Sequence, residues 1–241
     1  VVDAAHPDGL RTQRQQRLGQ LGVDDAADDR EEDLEGGLVG DQSTNDTVLL
    51  VASGGSGAAA VDDDPEAVAT LEQAVEAVAR SLSRQQAADG EGATTLITCA
   101  VSGAADDAAA RAAARAVVSS DLLKAAVHGA DPNWGRIAMA VGNAVIAPAT
   151  TLEAAGLAPA SAAARAGQPV ELDPRALQID IEGTPVFAGV PLEYDEAALS
   201  ERMRGGEVTI RVDLGVGSGI GEAFGCDLTQ EYVIENSEYS T

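Results

Sequence analysis

Short, uninterrupted apolar runs alternate along this chain with stretches of helical apolar spacing, and no other feature limits its fold as strongly. Residues 47–53 (TVLLVAS) are such a run, suited to a buried strand, and residues 93–101 (ATTLITCAV) also read as a strand. Between them, residues 62–65 (DDDP) join acidic capping residues to a proline at the first helical position. A helix is expected to start there and to run to residue 86, with Val68, Leu71, Val75, Val78 and Leu82 on one face. The alanine-rich stretch 106–120, residues 136–145 and residues 195–203 are expected to be helical, and residues 177–181 and 208–214 to be strands. Residues 159–169, rich in alanine and proline, read as a surface connection. The alternation indicates the α/β class, and no internal repeat is visible.

A chain of 241 residues can bury one sizeable core or two small ones. Only 2% of residues are aromatic, so that core must be built from small aliphatic side chains. Acidic residues outnumber basic ones 40 to 15, and Lys124 is the sole lysine. A net charge of −25 repels phosphates and anionic head groups, which argues against nucleic acid and membrane surfaces as partners. No apolar stretch reaches the roughly 18 residues needed to cross a bilayer. Residues 1–7 have neither a basic start nor a long apolar run, so a soluble, cytoplasmic protein is expected. Acid-rich, lysine-poor composition suits a halophilic cytoplasm, because salt screens self-repulsion. The melting temperature is therefore expected to rise from low to molar KCl, and a flat or falling curve would contradict the halophilic reading. Cys99 and Cys226 are too few and too far apart for a zinc site or a disulfide framework and read as small hydrophobes. His6 and His128 are likewise too isolated for a metal cluster, so no metal is expected.

Several motifs carry a chemical reading beside a plainer one. The string 212–221 (VDLGVGSGIG) is similar to the glycine-rich turn under the cofactor of S-adenosylmethionine-dependent methyltransferases. Such a turn opens a strand–helix–strand unit, yet only 20 residues follow Gly221, and among them 224–228 and 232–234 read as strands. Residues 43–46 (STND) and 131–136 (DPNWGR) read as turns, the second leading into a helix, with Trp134 as a core anchor. Residues 89–94 (DGEGAT) place Glu91 between two glycines before a strand. A carboxylate there is ordinarily a solvated turn residue, although the glycines would let a ligand approach closely.

Five of these segments, GDQSTNDTVLLVASG (40–54), DGEGAT (89–94), DPNWGRIAMAVG (131–142), FGCDLT (224–229) and the tail ENSEYST (235–241), follow one another in the order and spacing of the ornithine acetyltransferases, also called glutamate N-acetyltransferases. The chain resembles the carboxy-terminal (β) portion of that family over residues 38–241, and its opening VVDAA is similar to the strand after the family's cleavage site. The resemblance implies a layered sandwich of β-sheets flanked by helices. It also implies a precursor that cuts itself before a threonine, whose α-amino group can then serve as base for its own hydroxyl. Acetyl would pass from N-acetylornithine to that hydroxyl, ornithine would leave, and glutamate would accept the acetyl group in arginine biosynthesis. The family's reaction needs no metal and, in this cycle, no coenzyme A, so no cofactor is expected. By the same resemblance Glu91, Asn236 and Thr241 occupy substrate-binding positions, the oxyanion donors come from the α chain, and the assembly is a hetero-tetramer of two α and two β chains.

No Ala-Thr-Met-Leu type cleavage motif occurs in the chain, and alignment through VVDAA puts the nucleophilic threonine upstream of Val1. No catalytic residue is therefore expected within the chain, which alone should be inactive. Residues 1–37 form an atypical acidic segment that departs from the family after VVDAA, and residues 38–241 form the β-chain region. Two functional readings follow: part of an acetyltransferase, or a catalytically dead remnant kept as a binding or assembly partner.

Overall fold

A computed structural model of the chain describes residues 48–51, 64–154 and 156–238. The expectations for residues 1–37 and 43–46, for His6 and for Thr241 lie outside the described residues. In chain order the elements begin with helix α1 (Pro65–Ala88), strand β1 (Leu96–Ala104), and helices α2 (Asp107–Val118), α3 (Asp121–His128) and α4 (Trp134–Gly142). Helices α5 (Ala149–Ala154) and α6 (Pro159–Arg165), strands β2 (Gln178–Ile181) and β3 (Thr184–Ala188), and helix α7 (Glu196–Met203) follow. Strands β4 (Glu207–Asp213) and β5 (Gly219–Cys226) and helix α8 (Gln230–Glu238) complete the fold. The described residues divide into two compact units, one of 48–51, 64–83, 148–154 and 156–164, the other of 84–147 and 165–238.

The first unit contains most of α1. Asp64 caps it as the acidic start suggested, its carboxylate accepting from the Glu66 and Ala67 amides at 3.1 and 3.2 Å. The apolar face is another matter: Leu71, Val78 and Leu82 are each more than half exposed. Residues 48–51 form neither helix nor strand, and all four side chains are exposed. The apolar run 47–53 is expected to be a buried strand, but a strand needs a hydrogen-bonding neighbour and covered faces, and its described part, 48–51, pairs with no described strand. Residues 159–165 are helical rather than a connection, since Pro159 suits a first helical position and the alanines continue it.

The second unit is a five-stranded mixed sheet in the order β3-β2-β4-β1-β5, flanked by helices, as the α/β class requires. β1 runs parallel to β4 and antiparallel to β5. In the β1–β4 register Ile97, Cys99 and Val101 face Val208, Ile210 and Val212, and all six are buried. Apart from Leu96 and Ala100 the alternate positions are polar: Ser102 Oγ donates to Asp213 at 3.1 Å, and Arg211 lies 3.6 Å from Asp180. α2 packs on β1 and β5, and α4 packs on α2, α3 and β2. Asp106 caps α2 by accepting from Ala109 N at 3.0 Å. Burial would raise this carboxyl's pKa, but hydrogen bonds from Arg165 and from the Ala109 and Ala108 amides hold it below the ordinary value. Ala109, Ala110, Ala113 and Ala114 present a nearly flat buried face, which lets the helix approach the sheet closely.

That close approach accounts for the glycine string 212–221. A Cβ on Gly219 would stand 2.1 Å from the Asp106 backbone carbon, and one on Gly221 would stand 2.5 Å from Arg111 N. The Gly103 carbonyl accepts from both Val216 N and Gly217 N at 2.8 Å, turning the chain from β4 across β1 into β5. The turn thus leads to a strand, not a helix, and the glycines serve helix–sheet packing. Residues 232–234, expected as a strand, belong to α8 instead. Thr229 Oγ1 accepts from Tyr232 N at 3.1 Å, and this N-cap outweighs the strand preference of Val233 and Ile234. The expected strand at 224–228 coincides with the end of β5, which stops at Cys226.

Candidate functional site

The loop between α1 and β1 carries Glu91, and its shape is set from two directions. Ala93 N donates to Gly90 O at 2.9 Å, closing a turn, and Gly92 adopts φ +62. This left-handed conformation suits glycine for a second reason as well: a Cβ on Gly92 would lie 2.6 Å from Tyr232 N, in the first turn of α8. The loop backbone and the helix start are therefore in direct contact. Gly90 sits as closely on half-buried Cys226, where an added Cβ would meet Sγ at 2.7 Å. Burial raises the pKa of this thiol against the lowering influence of Lys124, and Asp227 raises it further. Cys99, fully buried, is pushed up by burial and by Glu222, consistent with an inert core residue.

The far end of the loop is held by Asp227, whose side chain is completely buried. It accepts from Thr94 N at 2.8 Å, Thr94 Oγ1 at 2.6 Å and Thr95 N at 2.9 Å, and His128 Nδ1 lies 2.9 Å from its second oxygen. Burial alone would raise this carboxyl's pKa, but the Thr94 and Thr95 donors and His128 together hold it below the ordinary carboxylate range. Asp227 is thus a structural anion that stitches residues 94–95 to the end of β5.

Glu91 and Asn236, 145 residues apart in sequence, meet on the exposed side of this assembly. Asn236 Nδ2 donates to Glu91 Oε2 at 2.8 Å and to Tyr232 O at 2.9 Å. One acceptor position of the carboxylate is used in this way, and a carboxylate offers about four. Both residues are exposed, so a small ligand can reach them. Thr241, the third residue expected here, lies outside the described residues. The 131–136 segment does form a turn into α4, with Asn133 accepting from Arg136 N at 3.2 Å. Trp134 is half-buried and stacks on Phe187, with ring centroids 4.9 Å apart. Tyr194 donates to Pro132 O at 3.2 Å and steadies the same turn.

Sequence reasoning singled out Glu91 and Asn236 but passed over Thr94, His128, Asp227 and Thr229, which hold them. Three of these four stand inside DGEGAT and FGCDLT, so the motifs themselves were the available signal. His128 had none. Among the described residues no group of three or more His, Cys, Asp or Glu side chains could hold a metal ion, and no helix is long and apolar enough to cross a membrane.

A family model described as the ArgJ family matches residues 38–241. The arginine biosynthesis bifunctional protein ArgJ of Deinococcus radiodurans is 48% identical over 168 residues, covering 70% of this chain and 37% of that protein. The glutamate N-acetyltransferase of Methanopyrus kandleri is 41% identical over 206 residues, covering 84% of this chain and 46% of that protein. The chain therefore spans less than half the length of these curated relatives. The crystal structure of arginine biosynthesis bifunctional protein ArgJ from Bacillus halodurans aligns with a TM-score of 0.73 and 31% identity, covering 98% of this chain and 96% of that one.

Proposed function

The chain belongs to the ArgJ family, and on that premise we propose that it supplies the amino-acid-binding half of an acetyltransferase acting in arginine biosynthesis. In this reading acetyl moves from N-acetylornithine to a threonine hydroxyl carried outside this chain and then to glutamate. The hydroxyl attacks the acetyl carbonyl, the amide C–N bond breaks, and ornithine leaves with the proton. The amino group of glutamate then attacks the ester and regenerates the hydroxyl. Residues 38–241 constitute the β-chain region, its partner is the α chain of the same precursor, and two copies of each make the assembly.

The observation that carries this reading is the 2.8 Å hydrogen bond between Asn236 and Glu91. It joins two motifs distant in sequence into one exposed site that combines an anion with an amide. Glu91 suits an ammonium or amino group of the substrate, and the Asn236 amide can both donate and accept. The test uses the complete protein with its threonine and α chain. Incubated with N-acetylornithine and glutamate, it should yield ornithine and N-acetylglutamate with the parallel-line kinetics of a two-step transfer. Removing residues 236–241 should abolish turnover. A complete protein that binds these amino acids without transferring acetyl would favour the assembly-partner reading instead.

A further inference from the structure

We propose that Thr229 is a positioning residue of the amino-acid site: its hydroxyl ties the Glu91 loop to the first turn of α8 and so sets the spacing of Glu91 and Asn236. The inference rests on the substrate-binding reading above and adds to it the group that holds the two side chains in register.

Thr229 is only 5% exposed. Its Oγ1 donates to Gly92 O at 2.9 Å and accepts from Tyr232 N at 3.1 Å, so both its roles are in use. These two partners are not arbitrary. Gly92 is the residue next to Glu91, and Tyr232 stands one helical turn before Asn236, whose amide donates to its carbonyl at 2.9 Å. A single hydroxyl therefore bridges the backbone beside one member of the pair to the helix carrying the other. Contact between Gly92 and α8 leaves no room for a Cβ, so the loop backbone lies directly against the helix start. Neither Glu91 nor Asn236 is buried, so packing around the side chains themselves does little to fix them. Their spacing has to come from the backbone beneath, and the Thr229 bridge joins the loop backbone to the helix backbone.

In the complete enzyme, Thr229→Val keeps the shape but leaves the Gly92 carbonyl and the Tyr232 amide without their partner. The expected result is a KM for the amino-acid substrate raised roughly tenfold, since small displacements in a binding constellation are felt strongly. The kcat should change little, and Thr229→Ser should restore the wild-type KM. Because the effect passes through the spacing of Glu91 and Asn236, which has no meaning once Glu91 is gone, Thr229→Val should add little further to KM in a Glu91→Ala background. Thr229→Ala removes the same hydroxyl with no bulk to misfit, and it carries the same expectation if the valine variant does not assemble. A hydroxyl that merely supports the fold would lower the melting temperature with KM unchanged, or would multiply the Glu91→Ala effect independently; either result overturns the proposal. Should Glu91→Ala raise KM while the Thr229 variants do not, only the positioning role falls. Should Glu91→Ala itself leave KM unchanged, the substrate-binding reading falls and takes this inference with it.

Discussion

Replacing Glu91 by alanine in the complete enzyme is expected to raise the KM for the amino-acid substrate about 10- to 100-fold, with a much smaller change in kcat. A hydrogen bond to a charged group contributes about 1.5–3 kcal/mol, and each 1.36 kcal/mol is about a factor of ten. Glu91 is exposed, and its one described side-chain partner is Asn236, so its removal leaves no buried group stranded and the fold should persist. An interaction made equally in the ground state and the transition state appears in KM and not in kcat, which is the pattern expected of a residue that only holds the substrate. Glu91→Gln separates charge from shape: it still accepts from Asn236 but no longer attracts a cation, so its KM should lie near that of Glu91→Ala. Steady-state kinetics with each amino acid in turn decides the matter. An unchanged KM in both variants would remove Glu91 from the site.

Asp227→Ala is expected to cost about 3 kcal/mol of stability, the largest single loss among the polar residues near the site. The side chain is completely buried and serves Thr94, Thr95 and His128 at once. Removing it strands two backbone amides and opens a small cavity beside them. Denaturant unfolding measures the loss, and a value within experimental error of wild type would contradict the anchoring role. The pH dependence follows from the lowered pKa. A carboxyl whose folded value lies below its unfolded value stabilises fully above the unfolded value, and it loses that contribution as the pH falls through the folded one. The stability difference between wild type and Asp227→Asn should therefore be constant above about pH 5 and shrink as the pH drops below about 4. Asparagine retains an oxygen for the Thr94 and Thr95 amides, so it should be milder than alanine at neutral pH.

Local chemistry was legible where it is decided locally. The starts of α1 and α2 were written in acidic caps, Asp64 and Asp106, whose partners lie within three residues. β1 and β4 overlap the stretches 93–101 and 208–214 that read as strands, and the scarcity of aromatics anticipated a core of small aliphatic side chains. The hairpin β2–β3 was half seen. Its second strand contains Pro185 and is short, while its turn depends on positive φ at Glu182 and Gly183. The helix α3 escaped notice because eight residues provide barely two turns of periodicity.

Of the candidate site, the motifs and their order stood in the amino-acid sequence, and so did the residue types able to grip an amino acid. Tertiary structure alone decided that Glu91 and Asn236 touch, that Thr229 reaches the Glu91 loop, and that Asp227 is an anchor rather than a surface charge. The physical reason is the same in each case. Thr94 and Asp227 are 133 residues apart, Thr229 and Gly92 137, Asn236 and Glu91 145. A hydrogen bond of that span leaves no periodicity in the sequence, and it exists only once the sheet has brought the start of β1 beside the end of β5.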